Sequence, residues 1–458
     1  MSRLMLLAMV LLAPFHTRAA VADFSSFVAL GADGVAVARV LTEAPACPSI
    51  RIDGQSQVMR TRVGPGTLPL RTTISKPEDS KSSAFPVRTC EAVLPRGAKR
   101  VTVLGRRLPV PPPRIDRIVV IGDTGCRLKG KEVQACNDPA AYPFVRVAQE
   151  AAAWRPDLVL HVGDYLYRET PCPTGQPGCA GSPWGYGWDA WSADFFAPGE
   201  DLLQAAPWVF VRGNHENCNR GGQGWWRFID PQPFVPHRDC SDPARDAAND
   251  DAPPYAVPLG GGAQIVVMDI AYADENKPLE PNAPAAAPIR TAYARLDALS
   301  RQGTFTFAAT HKPILGFAAT DKGGQVRLRP GNMAIQSVFG TLNPDLLPAK
   351  VDVLLGGHYH VWEQVSFASN HPSQFIAGFS GTQEDILPMP DTLPADATPA
   401  PGAKPDRFSS WIDGFGYMTL ERKDARHWDV KVWNLSGKVV NTCRIDGRHS
   451  ECDTAVVR

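Results

Sequence analysis

Between residues 23 and 108 apolar and polar residues trade places over short stretches, as in Val35-Ala36-Val37-Ala38-Arg39-Val40, Gln57-Val58-Met59-Arg60-Thr61-Arg62-Val63 and Arg100-Val101-Thr102-Val103-Leu104, with Gly and Pro between them. Alternation at a period of two, broken by turn residues, is the pattern of strands with one face in a core, and predicts a small all-β, sandwich-like domain. Pro109 to Pro113 is almost all proline, which cannot sit inside a sheet, so a stiff linker over 109–114 is expected to end that domain. From 115 to 440 the texture changes to near-continuous apolar runs, the signature of strands covered on both faces, separated by stretches with helical spacing. One helix is predicted from Asp138, as N-cap with Pro139 at the first helical position, to Trp154, with Phe144, Val147, Ala148 and Ala151 on one face. A second carries Ile289, Tyr293, Leu296 and Leu299 on one side. Thr170–Pro198 and Leu387–Arg407 read as loops by composition, the second as disordered. The expected fold class is therefore α/β, layered β-sheets flanked by helices, preceded by the small all-β domain and followed by a C-terminal tail over 441–458.

The first residues do not belong to that plan. Met1-Ser2-Arg3, an apolar stretch from Leu4 to Pro14, and then Ala20-Val21-Ala22 follow the charged, apolar, small-residue order of a secretory signal peptide over 1–22. The apolar stretch is too short to span a bilayer, and no later run is long enough to anchor the chain, so a periplasmic or secreted protein is expected. Ten cysteines lie beyond this segment and fall into sequence neighbours: Cys47 and Cys90, Cys126 and Cys136, Cys172 and Cys179, Cys218 and Cys240, Cys443 and Cys452. In an exported chain an even count points to disulfides, paired here between neighbours; zinc is the competing reading, which the absence of CxxC spacing disfavours. With 47 basic against 47 acidic residues and no long run of either sign, neither nucleic acid nor an anionic membrane is indicated as a partner.

Chemistry concentrates where the buried strands end. Arg117–Ile121 leads into Gly122-Asp123-Thr124-Gly125, Leu158–Val162 into Gly163-Asp164-Tyr165-Leu166-Tyr167, and Trp208–Val211 into Gly213-Asn214-His215-Glu216. Phe305–Thr310 leads into His311-Lys312-Pro313, and Val351–Leu355 into Gly356-Gly357-His358-Tyr359-His360. In open α/β sheets the ligand site gathers at the carboxyl ends of the strands, so the five loops are expected to converge on one rim. Together they supply carboxylates able to bridge and imidazoles able to complete the shells of two metal ions. Taken singly, an Asp after a strand is more often a cap or a turn former than a ligand.

This series resembles the calcineurin-like metallophosphoesterases, over roughly Arg117 to Gln364. Two departures, Gly125 where most members carry histidine and Tyr167 three residues after Asp164, make it similar to the purple acid phosphatases within that superfamily. The resemblance implies that Asp123, Asp164, Tyr167 and His360 hold one metal ion, and that Asp164 bridges to a second completed by Asn214, His311 and His358. A tyrosine ligand favours a hard trivalent ion, so the implied pair is Fe(III) with a divalent Zn, Mn or Fe. The implied reaction is hydrolysis of phosphate monoesters by a metal-activated hydroxide, with His215 as general acid. Glu216 reads either as a carboxylate that orients or charge-stabilises that imidazole or as a plain surface carboxylate. A phosphodiesterase on the same site and, from another class, a non-catalytic exported binding module remain open at this point. The expected partner is a small phosphate ester. The N-terminal domain, which in position resembles the sandwich preceding the catalytic domain of large purple acid phosphatases, shields a sheet edge or forms a homodimer contact. His161 reads as a core histidine, and Trp184, Tyr186, Trp188, Trp191, Trp225 and Trp226 as packing under long loops rather than a substrate rim.

Overall fold

The computed structural model describes residues 24–321, 323–385, 389–390 and 392–457; the signal peptide expected over 1–22 lies outside the described residues. Two large sheets face each other. In the first, of eleven strands, Arg117–Ile121, Leu158–His161 and Trp208–Phe210 lie side by side and parallel. In the second, of eight, Ala263–Asp269, Phe305–Ala309, Val353–Gly356 and Ser373–Ala377 do the same. Side chains alternate across each strand, so Ile118, Val120, Leu158, Leu160 and Val209 meet Ile265, Phe307, Val353 and Leu355 between the sheets. Val119, Ile121, Val159 and Phe210 point outward and are covered in part by the helix Phe144–Ala153. Val266, Ala308 and Leu354 are covered by Ala286–Ser300 and Met333–Gly340. Both faces of these strands are buried, which is why the sequence runs apolar there; each such side chain contributes about 1.5–3 kcal/mol on burial. The expected layered α/β architecture, helices outside and sheets inside, is the one observed.

The N-terminal region is all-β, as its alternation predicts, yet it is not free-standing. Phe24–Leu30 pairs in parallel with Trp208–Phe210, Ala29 opposite Trp208, and Ala36–Thr42, Arg88–Val93 and Arg60–Val63 follow in the same sheet. A separate four-stranded sheet holds Ser49–Ile52, Gln55–Val58, Val101–Val103 and Arg106–Leu108. The proline segment thus joins two stretches of chain that share one layer. Buried arginines stitch them further: Arg39 donates to the carbonyls of Phe228 and Asp230, and Arg62 to the carbonyl of Trp226 and to Glu91. The expected C-terminal tail is likewise woven in, with Val439–Asp446 and His449–Cys452 closing the other end of the eleven-stranded sheet.

Two local expectations are corrected. The first helix starts at Phe144 rather than at Asp138, because Pro143 lacks an N–H and biases Tyr142 away from helical geometry; the Asp138 carboxylate accepts from the Ala140 amide at 2.9 Å instead. Within the stretches read as loops, Trp188–Trp191 and Ser192–Phe196 are helical and Pro405–Trp411 is a strand. All five neighbour disulfides are formed, Cys47–Cys90, Cys126–Cys136, Cys172–Cys179, Cys218–Cys240 and Cys443–Cys452. Such a set belongs to an oxidising compartment. Among the described residues no helix is long and apolar enough to cross a membrane.

Candidate metal centre

The five loops do converge, three from the first sheet and two from the second. Asp123, Asp164 and His358 all adopt left-handed backbone conformations, with φ of 54°, 59° and 73°. Non-glycine residues hold that geometry at a cost of about 1–3 kcal/mol each, and such strain collects where side chains must be aimed.

The donor atoms fall into two overlapping groups. In the first, the Tyr167 phenol oxygen lies 2.9 Å from Asp123 Oδ1, 2.9 Å from Asp164 Oδ2 and 2.8 Å from His360 Nε2. In the second, His311 Nε2 lies 3.0 Å from Asp164 Oδ2 and 3.1 Å from Asn214 Oδ1, and a ring nitrogen of His358 falls within 4.8 Å of the His311 and Asp164 donors. Asp164 Oδ2 is common to both groups. Asp164 Oδ1 accepts the His215 amide at 2.8 Å.

These residues fit a pair of cations. His311 Nδ1 faces the Val162 carbonyl at 2.9 Å, so the neutral ring keeps its proton there and turns a lone pair on Nε2 toward two further acceptors. Three acceptors at this distance repel unless a proton or a cation lies among them. Burial pushes the His311 imidazole down, but the Asp164 carboxylate outweighs it and raises its pKa to about 9. Ligands bound at about 2.1 Å and at right angles stand about 3 Å apart, the spacing seen in both groups. Burial, Asp123 and Asp164 hold the Tyr167 phenol protonated, far above its ordinary value, so only a strongly polarising cation can take the place of that proton.

Gly125 explains the exchange of histidine for tyrosine. A Cβ there would stand 2.7 Å from the Tyr165 carbonyl oxygen and 2.8 Å from the Tyr167 amide nitrogen and Asp194 Oδ2. The loop that brings in Tyr167 fills the space a side chain at 125 would need. Asp194, from the stretch read as a loop, holds that loop in place by accepting from the amides of Cys126, Tyr167 and Arg168 and from the Arg168 guanidinium.

His215 lies against the Tyr167 ring, their centroids 3.8 Å apart, with Nδ1 donating to the Leu166 carbonyl at 3.0 Å and Nε2 3.8 Å from Asp164 Oδ2. The carboxylate beside its imidazole is Glu169, Oε1 at 3.2 Å from Nδ1, and not Glu216. Glu216 instead accepts from the backbone amides of Asp164, Tyr165, Leu166 and Gly213, locking the second and third motif loops together. Burial pushes the Glu169 carboxyl up, but Arg220 and His215 hold it down at about 2. Burial and Arg220 lower the His215 pKa to about 4. Arg127 lies over His360, and Glu275, held by Lys312 at 2.6 Å, faces His358 at 3.6 Å. Glu169, Asp194, Arg220, Arg127 and Glu275 were not singled out in the sequence, where no motif or spacing marks them. His161 is the core histidine it was read to be, 3.0 Å from Thr124 Oγ1, accepting from the Gly163 amide and stacked on Tyr165. Tyr186, Trp191, Trp225 and Trp226 are buried, as packing predicts.

Facing sheets whose strand ends present two donor groups sharing one carboxylate oxygen define a metallophosphoesterase. Residues 116–362 match the family described as calcineurin-like phosphoesterase, and the chain belongs to that family. Membership implies a centre of two metal ions and the cleavage of phosphate esters. Among solved structures the fold is similar to purple acid phosphatase PPD1 from seeds of yellow lupin (Lupinus luteus), at 15% identity over 94% of this chain and 74% of that one, with a TM-score of 0.50. It is also similar to PhoD, at 12% identity over 94% of this chain and 92% of that one, with a TM-score of 0.51. No curated protein matches the sequence.

Proposed function

We propose that this protein is an exported phosphatase of the purple acid phosphatase kind, hydrolysing small phosphate monoesters. The observation that carries the reading is the phenol oxygen of Tyr167 set within 2.9 Å of Asp123, Asp164 and His360 donors, where a phenolate ligand of Fe(III) belongs. Asp123, Asp164, Tyr167 and His360 would hold that ion, and Asp164, Asn214, His311 and His358 a divalent Zn, Mn or Fe. When bound, the two ions supply a water of lowered pKa as nucleophile and positive charge opposite the phosphoryl oxygens. His215 keeps Nδ1–H on the Leu166 carbonyl, so Nε2 is the atom that carries a proton to the leaving oxygen. Export by the signal peptide over 1–22 is supported by the five disulfides.

The test is the hydrolysis rate of an aryl phosphate monoester against the matching diester from acidic to alkaline pH, with Asp164→Asn as the blank. Monoester preference in acid, lost in the variant, is expected. Diester preference would transfer the protein to the phosphodiesterases, and activity on neither with metals bound would favour a binding module.

A further inference from the structure

Arg220 lies inside the site and is only 6% exposed. Its Nε donates to Glu169 Oε1 at 2.5 Å, and its Nη2 stands 2.6 Å from His215 Nε2 and 2.7 Å from Nδ1. Because Nδ1 already donates to the Leu166 carbonyl, it has no lone pair to offer, and the guanidinium is laid against the ring rather than bonded through that atom. Among the described residues no partner takes up Nη1. Arg220 is thus a nine-tenths buried cation with donors to spare, beside the ring nitrogen that points at the carboxylate oxygen shared by both ion positions. Nη1 is not one of the buried donors left without a partner, so it stays open to solvent and an arriving acceptor can reach it without displacing a protein group. Glu169 is fully buried and fixes the cation by Nε alone, leaving the far end of the fork turned toward the site.

We propose that Arg220 is a substrate-binding residue: tethered by Glu169, its free N–H groups take an unsubstituted phosphoryl oxygen next to the leaving oxygen that faces His215, and so favour monoesters over diesters. The proposal rests on the phosphatase reading above and adds the group that discriminates. A monoester offers three oxygens that carry no second substituent and up to two negative charges; a diester offers two oxygens and one charge. A planar charged fork gains more from the first. Glu169 acts through Arg220 and is a positioning residue.

The experiment uses the full metal-loaded protein, with metal content measured for each variant. Arg220→Lys keeps the charge, while Glu169→Gln combined with Arg220→Met removes both charges and leaves no buried ion alone. For the double variant, monoester kcat/KM is expected to fall and the inhibition constant of inorganic phosphate to rise by about 10- to 100-fold, the loss of a charged hydrogen bond. Diester kcat/KM is expected to change by less than about threefold, since one charge and fewer oxygens are at stake. Arg220→Lys should recover part of the phosphate affinity, and Glu169→Gln alone should raise KM more than it lowers kcat. Equal losses on both esters, or unchanged phosphate inhibition at unchanged metal content, would overturn the proposal. If the unaltered protein cleaves no monoester, the phosphatase reading fails on its own, and calorimetric binding of phosphate to the two proteins still decides the role of Arg220: tenfold weaker binding upholds it, and equal binding ends it.

Discussion

At the scale of single residues the centre is organised by which atoms have a proton to give. Tyr167 is the only hydroxyl donor among the candidate ligands, and it faces three acceptors at once. Tyr167→Phe removes one oxygen and leaves the ring lying against His215. The iron-loaded variant is therefore expected to lose its visible charge-transfer absorption while its near-UV circular dichroism stays that of the parent; a surviving visible band would rule out the phenolate. That Asp123, Asp164, Asn214, His311, His358 and His360 would come together was legible in the sequence, because each stands at a strand end marked by an apolar run. Glu216 was legible in place but not in role. Its side chain turns away from the neighbouring imidazole to four amides, and nothing in the string GNHE distinguishes the two directions. Glu169 and Arg220 were not legible, since their meeting depends on how two loops fold back on each other.

At the scale of elements the second motif loop is shaped by what it must avoid as much as by what it binds. It passes so close to Gly125 that a methyl group there meets backbone and the Asp194 carboxylate below 3 Å. Gly125→Ala is expected to lower the unfolding free energy by about 1–3 kcal/mol and to loosen the first ion, since the backbone at Tyr165–Tyr167 has to retreat. Thermal melting and iron content measure this together, and parent-like values for both would mean that the loop has room the structure does not reveal. The helix at Phe144 carries a related lesson. Its apolar face was correctly read from Phe144, Val147, Ala148 and Ala151, but its start was not, because an attractive Asp-Pro cap at 138–139 outweighed the breaker at Pro143. The strands were easier, because burial on both faces writes itself as an apolar run, whereas Asp194, four amide and guanidinium contacts notwithstanding, sits in a stretch whose Gly, Pro and Trp content speaks only of a loop.

At the scale of the molecule the N-terminal region is bound to the rest by a shared sheet and by a buried ionic cluster. Which strand Phe24–Leu30 would pair with was beyond the sequence, since its alternation fits many partners and the true one lies about 180 residues away. Burial pushes the Glu91 carboxyl up, while Arg62, Arg39 and Arg60 together more than offset it, so its pKa in the folded protein lies below the ordinary 4.5. A depressed carboxyl pKa stabilises the fold above the unfolded value and ceases to do so as pH falls through the folded one. Glu91→Gln is therefore expected to lower the melting temperature at neutral pH, with the gap to the parent closing as pH drops below about 4.5, and a gap independent of pH would show that the cluster acts by packing alone. The pairing of Phe24–Leu30 with Trp208–Phe210 also sets an order of events. The hairpin with Ala36–Thr42 can form as soon as it is made, but its other edge stays open until more than a third of the chain has followed. A polypeptide delivered N-terminus first thus holds a sticky β-edge through much of its synthesis, and sealing it, which contact-order physics makes slow, is the step at which aggregation and folding compete.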